Sequence, residues 1–212
     1  MFPPKPTVIG LVGAALGLED KQLESLYTEI LTAVSLLTHD GFARDLWGIT
    51  KFKSGADTEH AVVVREMIHE PNYWIYFAMP EASSKFKLED LERAFTDPTY
   101  PLSLGRSDEL VLIKSSNLLD LRPTNQGACY RHTVLPFDYR KRRYDLEKVN
   151  ESNHGILELP QVFTVPIAYS YDKTRKRTVA QYQVFTHVFG TGLISRQADG
   201  GLQDGERCVF LY

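Results

Sequence analysis

A chain of 212 residues that is 43% hydrophobic can build a core of ordinary size, which argues against intrinsic disorder and leaves room for one large domain or two small ones. Lys and Arg total 24 against 27 Asp and Glu, a net charge of -3, so nucleic-acid binding would need a local basic patch rather than the field of the whole molecule. Only two cysteines occur, Cys129 and Cys208, without CxxC spacing or a nearby His cluster, which argues against a disulfide framework and a structural zinc and fits a reducing cytoplasm.

The first element is entered through Pro3, Pro4, Lys5 and Pro6. From Thr7 onward, Val8, Ile9, Leu11, Val12, Ala14, Ala15 and Leu16 occupy nearly every side of a helix, which predicts a buried one. The apolar stretch 7–18 is too short to span a bilayer and has neither a basic flank nor a cleavage site, so no membrane partner is expected. Gly10, Gly13 and Gly17 share one helix face, which predicts a close approach to a sheet, with Gly17 suited to the C-cap. Their spacing is not GxGxxG and no strand precedes them, so packing rather than phosphate binding is expected of them.

Residues 20–28 predict a second helix with Asp20 as N-cap, and residues 30–37 a strand. Residues 38–59 hold Gly41, Trp47, Gly48, Lys51, Lys53 and Gly55 with no sustained period, which predicts a projecting loop or hairpin. Residues 61–68 and 73–79 read as strands joined by Glu70-Pro71-Asn72, residues 88–95 as an amphipathic helix, and residues 109–114, alternating around Leu110 and Leu112, as a further strand. This order resembles an α+β, ferredoxin-like domain over residues 1–116 that lacks its first strand. Residues 117–127 are the nearest approach to a linker, and residues 117–212 read as a mostly β region. There, residues 164–171 are expected to pair with 178–188 across the basic turn 172–177.

Arg140-Lys141-Arg142-Arg143, flanked by Tyr139 and Tyr144, is the clearest basic run; it reads equally as a solvated face and as a phosphate track with aromatic neighbours. The aromatic segment 73–77 can stack bases as an RRM sheet does, although the RNP1 pattern is absent and core packing is the commoner fate of such residues. Six scattered histidines lack metal-ligand spacing. His60, His69, Lys51 and Tyr76 are near enough in sequence to meet as an acid/base group, but nothing in the pattern requires it. In Gly105-Arg106-Ser107-Asp108, backbone donors, a hydroxyl and a guanidinium can converge on a phosphate; alternatively Gly105 makes the turn and Arg106 pairs with Asp108.

The segment Phe2-Pro3-Pro4-Lys5-Pro6-Thr7-Val8-Ile9-Gly10, then Arg65-Glu66 with Pro71-Asn72-Tyr73-Trp74-Ile75-Tyr76, then Leu102-Ser103-Leu104-Gly105-Arg106-Ser107, resembles in order the Cas-five family of CRISPR-associated RAMP proteins. The resemblance covers the first half of the chain. It implies a modified ferredoxin-like fold that grips the 5′ handle of a CRISPR RNA at one end of a type I Cascade complex, with I-B-like character. It also implies the Cascade backbone and large subunits as partners and target DNA only through the complex. A thumb hairpin is implied at about residues 47–62, with Lys51 and Lys53 as its basic residues.

The family's usual N-terminal strand, ahead of the Phe-Pro segment, has no counterpart here, so either the start is truncated or a sheet position is left open. The branch of the family that cuts its own guide RNA carries an adjacent Lys-His pair where this chain has Lys114-Ser115, so a non-catalytic role without cofactor or metal is expected. The RNA-contacting candidates are Lys5, Lys51, Lys53, Arg65, Gly105, Arg106, Ser107, Arg140, Arg142 and Arg143. A metal-independent endoribonuclease and an interaction module without RNA are the alternatives.

Overall fold

Helix α1 (Lys5–Leu16) starts where Pro6 occupies its first turn, a position that needs no amide donor, and stops at Gly17, whose φ of 69° lets its N–H close on the Gly13 carbonyl. The computed structural model describes residues 2–52, 58–79, 86–148, 158–174 and 176–212. Helix α2 (Asp20–Glu29) follows, and its N-cap is Glu19 rather than Asp20: Glu19 is extended at ψ 162°, and its N–H donates to Gln22 Oε1 at 2.9 Å. Strands β1 (Leu31–Thr38), β2 (Gly41–Phe52), β3 (Thr58–His69) and β4 (Asn72–Ala78) precede helix α3 (Leu88–Thr96).

The expected contact of the glycine face with a sheet is not what these glycines make. A Cβ on Gly13 would run into the Leu23 side chain of α2, Gly17 abuts Thr99, and Gly10 has open space. The small residues thus bring α1 onto its neighbouring helix and the segment after α3. Ile9, Val12, Ala15, Leu26, Ile30, Leu91, Phe95 and Leu102 form one buried core with them. Each large side chain so buried contributes about 1.5–3 kcal/mol.

Residues 109–114 are not a strand. Leu104 N–H bonds the Glu109 carbonyl and Val111 N–H the Leu102 carbonyl, leaving one isolated bridge, Ser103 to Leu110. The alternation is real, since Val111 and Ile113 pack on the core while Leu110 and Leu112 stand 74% and 82% exposed, but alternation selects a face and does not supply a neighbouring strand.

The remaining strands are β5 (Arg122–Pro123), β6 (Cys129–Tyr130), β7 (Thr133–Leu135), β8 (Tyr144–Leu146), β9 (Gln161–Tyr171), β10 (Arg177–Val188), β11 (Leu193–Ser195), β12 (Leu202–Asp204) and β13 (Arg207–Val209), with a 3-10 turn at Tyr139–Lys141. The fold is α+β. Its largest sheet runs β4-β1-β7-β10-β9, and therefore takes strands from both sides of the division expected at residue 116. Two three-stranded sheets, β6-β11-β8 and β13-β12-β5, lie in the second half. The long β9–β10 pair forms across the expected basic turn, with a bulge near Gln181. Asp172 holds the turn by accepting from Thr174 N–H at 2.8 Å and Lys176 N–H at 3.0 Å.

The chain divides into two compact units, Leu36–Trp74 and Phe2–Ser35 with Ile75–Tyr212. The first is dominated by the β2–β3 ribbon, in register from Gly41 opposite His69 to Phe52 opposite Thr58. The described parts of the expected thumb interval, residues 47–52 and 58–62, are the distal part of this longer ribbon, and the expected strand 61–68 belongs to β3 within it. Lys53 lies outside the described residues.

Candidate nucleic-acid interface

Lys5 is not available to a phosphate. It is buried to 6% exposure at the start of α1, and its Nζ donates to the main-chain oxygen of Tyr212 at 2.9 Å. Tyr212 also exchanges two backbone bonds with Thr32, so Lys5 ties the start of α1 to the C-terminal segment that pairs with β1. Burial pulls the ammonium down to about 8. The unfolded chain therefore holds this proton to higher pH than the native one, and stability rises as pH increases from about 8 toward the ordinary lysine value of about 10.4. Lys5→Met, of similar shape, is expected to abolish that rise; equal slopes in urea titrations of both proteins between pH 7.5 and 9.5 would refute it.

Gly105 has a φ of 106°, which favours glycine, and a Cβ there would press on Thr7 Cγ2 at 3.2 Å. The Gly105 turn thus sits against the first turn of α1. Leu102 is buried in the α1 core, and Thr99 and Tyr100 N–H groups bond the Ala15 and Ala14 carbonyls. Arg106 Nε donates to Asp108 Oδ1 at 3.1 Å, and Ser107 is exposed at the tip.

In the hairpin unit, side chains alternate between two faces. Phe42, Leu46, Val62 and Val64 lie on one, exposed by 53%, 70%, 71% and 58%, together with the Arg44–Glu66 ion pair at 3.0 Å and a Thr50–His60 contact at 3.3 Å. On the other face the Arg65 guanidinium lies 4.7 Å from the Trp47 ring centroid. His60 and His69 are at opposite ends of β3, about 30 Å apart at strand rise, so they do not form one acid/base group. Tyr76 is likewise occupied, donating to Asp204 Oδ2 at 3.0 Å. Phe77 packs on Phe95 at 5.5 Å, so these two aromatics of β4 serve the core rather than base stacking.

The basic run is divided by its neighbours. Asp138 takes the Arg140 guanidinium through two bonds, of 2.9 and 2.8 Å, and these hold the Asp138 carboxyl below its ordinary range. Arg142 lies 4.0 Å from the Phe137 ring centroid. Arg143 leads into β8 and accepts Arg196 N–H on its carbonyl at 3.0 Å. Following the β8–β11 register, Arg143, Asp145 and Glu147 share one face with Ile194 and Arg196. Arg196 forks onto Asp145, Nε to Oδ2 at 2.7 Å, and lowers the pKa of that carboxyl. Gln126, Gly127, Arg143, Asp145, Ile194, Ser195 and Arg196 line an open cavity of about 600 Å³. Gln126 and Arg196 were not legible as site residues because they come from a loop and from the residue just after β11, which only pairing brings together.

The opposite face of the same strands is held by Asp199. It accepts from Tyr130 at 2.8 Å, Tyr144 at 2.5 Å, Thr124 at 3.2 Å and Gly201 N–H at 3.0 Å. Burial alone would raise its pKa, but hydrogen bonds led by Tyr144 and Tyr130 outweigh burial and lower it, while burial and the carboxylate push both phenols up. Among the described residues no cluster of three His, Cys, Asp or Glu is placed to hold a metal ion, and no helix is long and apolar enough to cross a membrane.

No protein-family model matches the chain, and no curated protein matches it. Among solved structures it is similar to a chain of a CRISPR RNA-guided surveillance complex, with 14% identity over 92% of this chain and 80% of that one, at a TM-score of 0.45.

Proposed function

We propose that this protein is a non-catalytic RNA-binding subunit of a type I, I-B-like Cascade effector complex that caps the 5′ handle of the guide RNA. The observation that carries the reading is the seating of the Gly105 turn on Thr7. The Pro-rich helix start and the Leu-Gly-Arg turn, far apart in sequence, meet there in one surface. Arg106 and Ser107 edge that surface, and the β2–β3 ribbon supplies the hairpin that the family resemblance implies. Lys114 is followed by Ser115 rather than His, which supports binding without cleavage.

Co-expression with the neighbouring effector subunits and a guide RNA, followed by pull-down and RNA sequencing, tests this. Recovery of a stoichiometric complex with a uniform, protected 5′ handle is expected; recovery of the subunit alone without RNA would refute the reading. Within that complex, replacing both Lys51 and Lys53 with Ala should reduce the salt slope of RNA binding by about 0.7 for each phosphate no longer neutralised. An unchanged slope would remove the hairpin from the RNA path.

A second reading, an interaction module, is favoured by one observation: the exposed apolar row Phe42, Leu46, Val62 and Val64 on the ribbon. It requires protein partners without RNA, and a gel shift with 5′-handle RNA separates the two.

A further inference from the structure

We propose that the outer face of the β6-β11-β8 sheet carries a subsite for one phosphate of single-stranded RNA, held by Arg143 and Arg196 beside Gln126. The subsite rests on the RNA-binding reading above and adds a location and residues to it.

The charges on this face do not balance. Three guanidinium groups, Arg131, Arg143 and Arg196, share it with two carboxylates, Asp145 and Glu147. Glu147 is taken by Arg131, whose Nε donates to Oε2 at 2.7 Å across the central strand. That reach depends on Gly192, since a Cβ there would sit 2.7 Å from Glu147 Oε2 and 3.0 Å from Arg131 Cγ. Asp145 is taken by Arg196 through both carboxylate oxygens. Arg143 is the surplus cation, exposed and without a carboxylate partner among the described residues. It stands opposite Arg196 across the strand pair, and like charges so placed repel. A bound anion removes that repulsion.

The cavity beside this pair fits a nucleotide unit better than a bare anion. Its volume of about 600 Å³ lies within the range of small-ligand sites. Ile194 provides an apolar floor, and the Gln126 amide offers a donor and an acceptor at the rim. Gly127, at φ 86°, has nothing within 4 Å of where a Cβ would be, so the floor is open on that side. Lys141 and Arg142 continue the positive charge along the chain leading into β8, which suits a polymer backbone rather than a free nucleotide.

The test is fluorescence anisotropy of a labelled single-stranded 5′-handle RNA with the full-length protein over a series of salt concentrations. Arg143→Ala is expected to weaken binding about tenfold and to lower the salt slope by about 0.7, whereas Arg143→Lys keeps the slope and Arg93→Ala, on α3, changes neither. Arg143 is exposed, so matching thermal melts establish that the variants are folded. If wild type binds and Arg143→Ala binds with the same affinity and slope, the subsite is overturned while the RNA-binding reading stands. If wild type fails to bind RNA, both are overturned.

Discussion

Asp199→Ala is expected to destabilise the protein by about 3–5 kcal/mol, read as a drop in the urea midpoint with an unchanged m-value. The carboxylate is the common acceptor for the Tyr130 and Tyr144 hydroxyls, the Thr124 hydroxyl and the Gly201 N–H. Removing it strands several donors at once, and a buried donor without an acceptor costs about 1–3 kcal/mol. Asp199→Asn is no rescue, because its NH2 group faces donors. Tyr144→Phe deletes a single bond and should cost only about 1 kcal/mol. The same group sets an acid limit. Its native pKa lies below the unfolded carboxylate value of about 3.9, so its contribution is full above that pH and is lost as pH falls through the lowered native value. An Asp199→Ala protein as stable as wild type at pH 7 would remove the network from the account of this fold.

The consequence extends to the proposed RNA face. Tyr144 points to Asp199 from one side of β8 while its neighbour Arg143 lies on the other, so the network fixes the strand next to the surplus guanidinium. Weakening of RNA binding in Asp199→Ala that is relieved at low temperature, where the strand is held, would identify a positioning effect rather than direct binding of RNA by Asp199.

What the sequence disclosed depended on range. The α1 helix was legible because its apolar residues, Pro6 and Gly17 lie within a few turns of one another, and the β9–β10 pair because its two strands flank a short basic turn. Residues 109–114 show the limit: Val111 and Ile113 alternate correctly, yet among the described residues no neighbouring strand pairs with them beyond the bridge at Leu110. Lys5 misled for a related reason, since a lysine beside three prolines reads as solvent-exposed until Tyr212, far along the chain, is brought to its ammonium. The candidate face around Arg143 was half visible. The basic run stood out, but Asp138 and Phe137, local neighbours at the 3-10 turn, engage two of its members, and the engagement of Arg196 by Asp145 depends on pairing across strands.

Gly201→Ala is expected to cost about 2–4 kcal/mol, although it adds one methyl group. A Cβ at this position would enter the van der Waals envelope of Tyr130 Oη and lie 2.9 Å from Thr124 Oγ1. Tyr130 cannot withdraw: it is fully buried, packed on Phe210 at 5.4 Å and Tyr144 at 6.0 Å, and bonded to Asp199. Gly200 next door provides the comparison, because its φ of 83° strains any side chain but nothing lies within 4 Å, so Gly200→Ala should cost only about 1–2 kcal/mol. Gly13→Ala meets only the mobile end of Leu23 and should cost less still. Since the severest contact at Gly201 is with the Tyr130 hydroxyl, Tyr130→Phe removes that contact and leaves only those with the Tyr130 ring carbon and Thr124 Oγ1, each at 2.9 Å. In a double-mutant cycle the alanine at position 201 should therefore be better tolerated on the Tyr130→Phe background, with a coupling energy of about 1–2 kcal/mol. Strict additivity of the two substitutions in urea titrations would refute the steric account and leave the Gly201 backbone, rather than its missing side chain, as what the network requires.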